Sequence, residues 1–438
     1  MMKRQPISFF PKKIFRGEAM KRKTTRVLSM MLTALFAAVL VHCGREQSTL
    51  ADNSGPQIKR TVVMSGLFDP WDLTFTPDGA MLFTEKCRGL SVRASDGKVR
   101  LLFGTAGAAL EADDLFCQGQ SGMLGVTLDP AFAENRHVYV YMASNIDKAK
   151  TNRVVRLTVD KAYTVVADRQ DIVADIPFKA SLNLWGGAGA HSGGRIRFSP
   201  ADGYLYVTTG DNHNGPLPQD LSRLGGKILR IDRDGKAATG NNTPHGGDPR
   251  IYTYGHRNVQ GIAFRPGTGQ PFVCEHGPGH DDEVTPLAAG GNGGWDPAPT
   301  KGVSCASDYC GYTSNKPDGT PTSMTDLDRF PDALKPSWNN RGVSEGMGPC
   351  VFLSGPHWKA WDGWLAVGFL KGARIQLLQL DANGMTIRTA TVADLSAQRM
   401  RSLVLGPDGA IYAAIDTGEI WRLESAGDEA FENGKDGG

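Results

Sequence analysis

One pattern recurs six times along the chain and sets what it can fold into. It is a short alternating strand, a turn rich in Pro, Gly and Asp, and a second strand rich in Val, Tyr and Leu. The copies are "WDLTFTPDGAMLFTEK" from Trp71, "LGVTLDPAFAENRHVYVYM" from Leu124, "GRIRFSPADGYLYVTTGD" from Gly194, "QGIAFRPGTGQPFVCEHG" from Gln260, "CVFLSGPHWKAWDGWLAVGFLK" from Cys350 and "RSLVLGPDGAIYAAIDTG" from Arg401. Proline gives no ladder hydrogen bond, and Gly and Asp accept turn dihedrals, so each copy reads as a hairpin. The copies lie about 50–90 residues apart, room for a four-stranded blade with variable loops. Set radially, they predict an all-β fold: a six-bladed β-propeller of four-stranded antiparallel blades over residues 58–425. No long helical periodicity interrupts that span. The 54 glycines and 25 prolines supply the turns it needs.

The ends read differently. Residues 1–42 carry nine Lys/Arg and one acid, Glu18, and include an uncharged run from Val27 to Val41. That run is short for a membrane span and fits the apolar segment of a secretory signal peptide. Met20 offers a second start with a leader of ordinary length. Cys43 follows "LVH", where a lipoprotein signal usually has a small residue, so a lipid anchor at Cys43 and plain export both stay open. Residues 43–57 are expected to be a linker and residues 426–438 a disordered tail. These features point to a periplasmic or secreted protein. The net charge of +2 becomes −6 without the leader, with 39 basic against 45 acidic residues. No basic patch remains to suggest a nucleic-acid partner. An exported chain permits disulfides, and six cysteines follow Cys43: Cys87, Cys117, Cys274, Cys305, Cys310 and Cys350. Cys305 and Cys310, closest in sequence, are the first candidates for a pair. There is no second close pair for zinc and no C-x-x-C-H for covalent haem.

In a propeller the innermost strand of each blade starts beside the central channel. Residues just before those strands therefore surround one mouth of it. They include Gln120, His191, Arg257, Asn258, Arg399 and Arg401, while second strands end near Lys371 and Asp416. One polar set per blade reads as a site. Arg257, Lys371, Arg399 and Arg401 form an anion-binding arc, which implies a small polyanionic ligand. His191, followed after one serine by two glycines, is the best general-base candidate among nine histidines. The glycines give room for a flat ligand or a neighbouring backbone. His256 falls outside the inward register, His276 is expected behind the site, and His213 in "GDNHNG" reads as a loop residue. The turn "EHGPGHDDE" at 275–283 could offer carbonyls to Ca²⁺, although its spacing alone is that of a charged turn.

Several of these segments also occur together in a known family. "PWDLTFTPDG", "HSGGRIRFSPADGYLYVTTGD", "LGGKILRID", "IYTYGHRNVQGIAF", "EHGPGHDDEVTPLAAGGNGGW", "GFLKGARI" and "RMRSLVLGPDGAIY" resemble the soluble PQQ-dependent glucose/sorbosone dehydrogenases, over residues 60–423. The resemblance implies the six-bladed fold and pyrroloquinoline quinone (PQQ), a flat tricarboxylate, as cofactor. It implies His191 as the base at the anomeric hydroxyl and Gln120 as a substrate contact. Arg257 and Asn258 would stand by the quinone oxygens. Lys371, Arg399 and Arg401 would hold the cofactor, and the carbonyls of Gly277 and Pro278 would bind Ca²⁺. The product would be a lactone, with electrons passed to an external acceptor. Two features depart from the family pattern: Ala190 before the base, and residues 297–340, expected at the pocket rim. A calcium-dependent lactonase-like hydrolase and a non-catalytic binding propeller are the alternatives on the same fold.

Overall fold

The computed structural model describes residues 52–146, 150–179, 187–297, 322–392, 395 and 398–426. The expected leader, Cys43, the Cys305–Cys310 pair and residues 427–438 lie outside them. The described chain forms six antiparallel four-stranded sheets, the blades of a β-propeller. Blade 1 begins at Pro70–Phe75, blade 2 at Met123–Leu128 and blade 3 at Ile196–Phe198. Blade 4 begins at Val259–Phe264, blade 5 at Met347–Phe352 and blade 6 at Met400–Leu405. Each of these innermost strands touches the next around a closed ring.

Blade 6 has a composite origin. Its outermost strand is Ile58–Met64, paired antiparallel with Glu419–Ser425 from the other end of the fold. Two blades carry a short fifth strand in parallel: Leu110–Glu111 on blade 1 and Asp52–Ser54 on blade 5. The latter falls within the segment expected as a linker. Gly55 N donates to Thr391 O at 2.7 Å at its end, so this piece of chain lies along the blade 5 edge.

The second strand of each blade is buried on both faces, which explains why it runs apolar without a polar side. Met81 and Phe83 pack toward blade 6, whereas Leu82 between them packs toward blade 2. Tyr139 and Tyr141 pack toward blade 3, and Val140 and Met142 toward blade 1. The period of two thus sorts one strand between two cores. Six such inter-blade cores close the ring.

A charged knot lies at the axis. Asp72 is fully buried and is bonded by groups from three other blades. Its carboxylate accepts from both Nη atoms of Arg197 at 2.8 Å, from Ser402 Oγ at 2.7 Å and from Val126 N at 3.0 Å. Arg195 Nη1 lies 2.5 Å from the same carboxylate, and the Arg195 guanidinium covers the Trp71 ring at 4.1 Å. Arg195 also donates to the carbonyls of Gln260 and Arg401. Burial would raise the Asp72 carboxyl, but Arg195, Arg197 and the Ser402 hydroxyl outweigh it and hold it far below the usual range. The knot therefore stabilises the fold fully above the ordinary carboxyl value of 3.8, and the contribution is lost only as pH falls toward the depressed value. Asp72→Ala strands the buried Arg195 guanidinium and the half-buried Arg197 one, and is expected to cost about 3–5 kcal/mol of unfolding free energy in a denaturant titration. A loss below about 1 kcal/mol, the scale of an exposed pair, would contradict this.

Candidate active site

A cavity of about 230 Å³ opens at the end of the channel where the innermost strands begin. Among the residues picked out in sequence, Gln120, His191, Asn258, Arg399 and Arg401 line it. Trp71, Leu124 and Leu370 give it apolar wall, and Lys86, Gln260 and His276 add polar groups.

His191 stands at the centre of a buried network. Its Nδ1 lies 2.7 Å from Asp211 Oδ1. A carboxylate only accepts, so His191 carries its proton on Nδ1 and presents the Nε2 lone pair. Asp211 is itself held by Trp295 Nε1–H at 2.8 Å, by His213 N at 2.9 Å and, through its own amide, by Arg257 O at 2.8 Å. Burial pushes the Asp211 carboxyl up to about 6, against the pull of Arg257 and His213. Burial, with Arg257, His276 and Lys179 nearby, holds the His191 imidazole well below its ordinary value.

The glycines near His191 serve neighbouring protein atoms. A Cβ on Gly193, whose φ is +65°, would lie 2.7 Å from the Thr208 carbonyl oxygen. One on Gly194 would lie 2.7 Å from Leu124 Cδ1. Gly193 N also donates to Asn258 Oδ1 at 3.2 Å, tying blade 3 to blade 4. Of the two uses expected for these glycines, close approach of neighbouring protein is the one observed. Ala190 is fully buried, and Asn212 Nδ2 reaches its carbonyl at 3.4 Å.

Arg257 sits behind the cavity wall. Its Nη1 donates to His276 O at 2.6 Å, and its guanidinium lies 5.9 Å from the Trp295 ring centroid. The Glu275 carboxylate clamps this turn: it accepts from the amides of Arg257 and Asn258 and lies 3.0 Å from His256 Nδ1. His256 is thereby buried away from the cavity, as the register implied. His276 lines the cavity, with Nδ1 2.9 Å from Gly277 O. The 277–282 turn is fixed by Asp282, whose Oδ1 accepts from Gly277 N at 2.8 Å and Ser344 Oγ at 2.6 Å. Pro278 is half-buried next to Gly277 in this turn.

The expected cationic arc is only partly assembled. Arg399 and Arg401 share one partner, Asp416, at 2.7 Å and 2.5 Å. Burial would raise Asp416, and the guanidiniums of Arg401 and Arg399 outweigh it. Two positive charges and one negative charge thus face the cavity there. Lys371 does not line it; the residue is exposed, and its amide bonds Glu345 O at 2.7 Å beside the lining Leu370. Lys86 does line it, paired with Asp69 at 3.2 Å and donating to Gly119 O at 3.1 Å. A disulfide joins Cys87 to Cys117 and staples the Lys86 turn to the loop that carries Gln120. Cys274 and Cys350 are buried free thiols between blades 4 and 5. Lys86 lies at the end of the second strand of blade 1, a position the repeat already aims at the channel mouth; sequence reasoning passed over Lys179, Trp295 and the position of His213. The "DNH" that follows the second strand of blade 3, two residues from Asp211 to His213, was the available signal.

Among the described residues, no group of three or more His, Cys, Asp or Glu side chains converges as a metal site. A lactonase-like centre built on side-chain carboxylates would need one. The cavity instead joins guanidiniums at one side to an imidazole–carboxylate pair at the other, across apolar wall. That suits a flat, anionic, partly apolar ligand.

Because its folded-state value is depressed, His191 is expected to stay neutral as pH falls through 6.5. The unfolded chain takes up that proton first, so this group's effect on stability is unfavourable below 6.5 and absent above it. An NMR titration of the imidazole nitrogens checks this: a His191 midpoint at or above 6.5 contradicts it.

Comparison with known proteins agrees with the geometry. The Glucose / Sorbosone dehydrogenase family profile matches residues 67–422. A protein from Synechocystis is 32% identical, covering 84% of this chain and 87% of its own. The aldose sugar dehydrogenase YliI of Escherichia coli is 28% identical, covering 83% of this chain and 91% of its own. Among solved structures, the PQQ-bound form of an aldose sugar dehydrogenase from Streptomyces coelicolor has a TM-score of 0.63 at 25% identity. That match covers 85% of this chain and 99% of the Streptomyces chain. The chain belongs to the glucose/sorbosone dehydrogenase family of PQQ-dependent sugar dehydrogenases.

Proposed function

We propose that this chain oxidises an aldose at its anomeric carbon, converting the C1 hydroxyl to a lactone, and passes the electrons to an external acceptor. The observation that carries the reading is the buried His191–Asp211 contact of 2.7 Å, which turns the imidazole lone pair away from the carboxylate. A neutral histidine fixed in that tautomer is equipped to take the hydroxyl proton. Asp211 orients the ring and offsets the charge the ring acquires. Gln120, on the stapled loop, would bind sugar hydroxyls.

PQQ fits the donor set beside the base. Arg401 commits Nε and Nη2 to Asp416 and keeps Nη1 for an anion, and Arg399 commits only Nε. These groups would bind cofactor carboxylates, with Asn258 and Arg257 toward the quinone oxygens. Lys371 would join them from its exposed turn. When bound, PQQ supplies a two-electron acceptor for the hydride leaving C1. Ca²⁺ would rest on the carbonyls of Gly277 and Pro278, in the turn braced by Asp282, and would polarise the quinone as a Lewis acid. Arg257 would offset negative charge at the same place.

The proposal extends to location. The basic, apolar leader and the Cys87–Cys117 disulfide together suit a periplasmic or secreted enzyme, with a lipid anchor at Cys43 as the alternative to a free form.

The reading is tested by adding PQQ and Ca²⁺ to the purified apo protein and following aldose-dependent reduction of an artificial dye. His191→Ala is expected to bind PQQ normally and turn over about 10²–10⁴ times more slowly. Near-normal turnover would refute the base. Arg401→Lys keeps the charge but loses the planar fork, so its PQQ titration should weaken about 10- to 150-fold, the worth of a charge-assisted bond. An unchanged titration would move the cofactor elsewhere.

A further inference from the structure

The cavity has a second charged wall, and its charge count differs from that of the arginine wall. On blade 6, Arg399 and Arg401 share Asp416, two positive charges against one negative. On blade 1, Lys86 Nζ lies 3.2 Å from Asp69 Oδ2, one charge against one. Both members of this pair line the cavity. The excess charge on blade 6 suits an anion. The balanced pair on blade 1 suits a neutral ligand that both donates and accepts hydrogen bonds, and a polyhydroxylated sugar is such a ligand.

Backbone contacts fix the pair in the wall. Asp69 has a φ of 51°, a left-handed conformation that costs energy in a residue with a side chain. Its carbonyl accepts from Lys86 N at 3.0 Å, and the preceding Phe68 N donates to the buried Glu85 carboxylate at 2.8 Å. Lys86 O accepts from Met123 N at 2.8 Å. A Cβ on Gly122 would lie 2.3 Å from that oxygen and 2.5 Å from Lys86 Cγ, so the glycine lets the lysine stem lie against the start of blade 2. The next residue, Cys87, is bridged to Cys117. Lys86 Nζ donates to Gly119 O at 3.1 Å, one residue from Gln120. An ammonium has three N–H groups, so Lys86 can hold Asp69 and Gly119 and still donate a third bond. The Asp69 carboxylate has lone pairs beyond the one that meets Lys86.

Order around the ring gives the pair its neighbours. His191 precedes the inner strand of blade 3, Gln120 precedes that of blade 2, and Asp69 and Lys86 flank the first two strands of blade 1. A sugar with C1 at His191 and a hydroxyl on Gln120 therefore meets blade 1 next. We infer that Lys86 and Asp69 are specificity-determining residues that read the aldose hydroxyls remote from C1, Lys86 as donor and Asp69 as acceptor. The inference rests on the proposed oxidation of an aldose at C1 beside His191. Neither residue moves a proton in that reaction; the pair sets which sugar is held.

The probes are the aldose that wild type oxidises fastest and its 3-, 4- and 6-deoxy forms, followed by dye reduction in the PQQ-loaded protein. Lys86→Met keeps most of the stem and removes the donor. Asp69→Asn tolerates the left-handed backbone and removes the charge, and it serves if the first variant does not fold. In wild type, the KM of at least one deoxy form should exceed that of the parent sugar about 10- to 150-fold, the worth of a hydrogen bond to a charged group. In Lys86→Met the parent KM should rise by a similar factor, and the rejected deoxy form should bind no worse than the parent. Asp69→Asn should raise the parent KM as well. In both variants kcat should change less, and PQQ titration of the apo protein should match wild type. A folded variant with an unchanged parent KM overturns the role of its residue. Lys86→Met protein that discriminates among the deoxy forms as wild type does overturns the inference. A weakened PQQ titration also overturns it, by moving Lys86 to the cofactor. Failure of the oxidation reading would appear separately, as wild type that reduces no dye with any aldose, and the inference would fall with it.

Discussion

A fully buried carboxylate holds the ring together. Asp72, on the first strand of blade 1, meets guanidiniums from blade 3, an amide from blade 2 and a hydroxyl from blade 6. The inner strands of a propeller diverge from a narrow axis, and side chains there must fill a tapering space. An apolar plug would fill it equally well by volume. An ion knot adds direction, because each bond is satisfied only when the right blade stands at the right angle. The same knot reaches the site, since Arg195 donates to the carbonyl of Arg401 and so fixes the strand that presents both cavity arginines.

The site is assembled from strand ends and turns, and its precision comes from secondary contacts. Glu275 sets Arg257 and Asn258 through their amides, Asp282 sets the Gly277 turn, and Asp211 sets the base. Three buried carboxylates thus position His191 and Asn258 in the cavity wall, and Arg257 and the Gly277 turn behind it. Each is itself tied to a neighbouring blade or loop, so the geometry of the pocket depends on the whole ring rather than on any one hairpin.

The hairpins were legible because their signal is local: a period of two on each side of a Pro/Gly/Asp turn. Blade number and the inward face followed from repetition. Gln120, His191, Asn258, Arg399 and Arg401 came together at one cavity because each opens, or immediately precedes, an inner strand. Lys371 follows the second strand of its blade, where the turn carries it outward, so the same register argument placed it less well. Asp416 was visible as a strand end, but not its sharing by two arginines, which depends on side-chain reach. The Cys87–Cys117 bridge was hidden for a similar reason. It joins a blade 1 turn to the approach to blade 2, a pairing that short sequence spacing cannot reveal. The short strand at 52–54 carries no apolar alternation, and only its neighbour, the edge of blade 5, makes it a strand.

The mixed parentage of blade 6 bears on how the molecule comes into being. Ile58–Met64 has no partner sheet until Glu419–Ser425 exists beside it. A chain emerging from its amino end can build hairpins one after another, yet the ring stays open, with blade 1 lacking a neighbour on one side, until the last strands arrive. Full cooperative stability is therefore deferred to the end of synthesis.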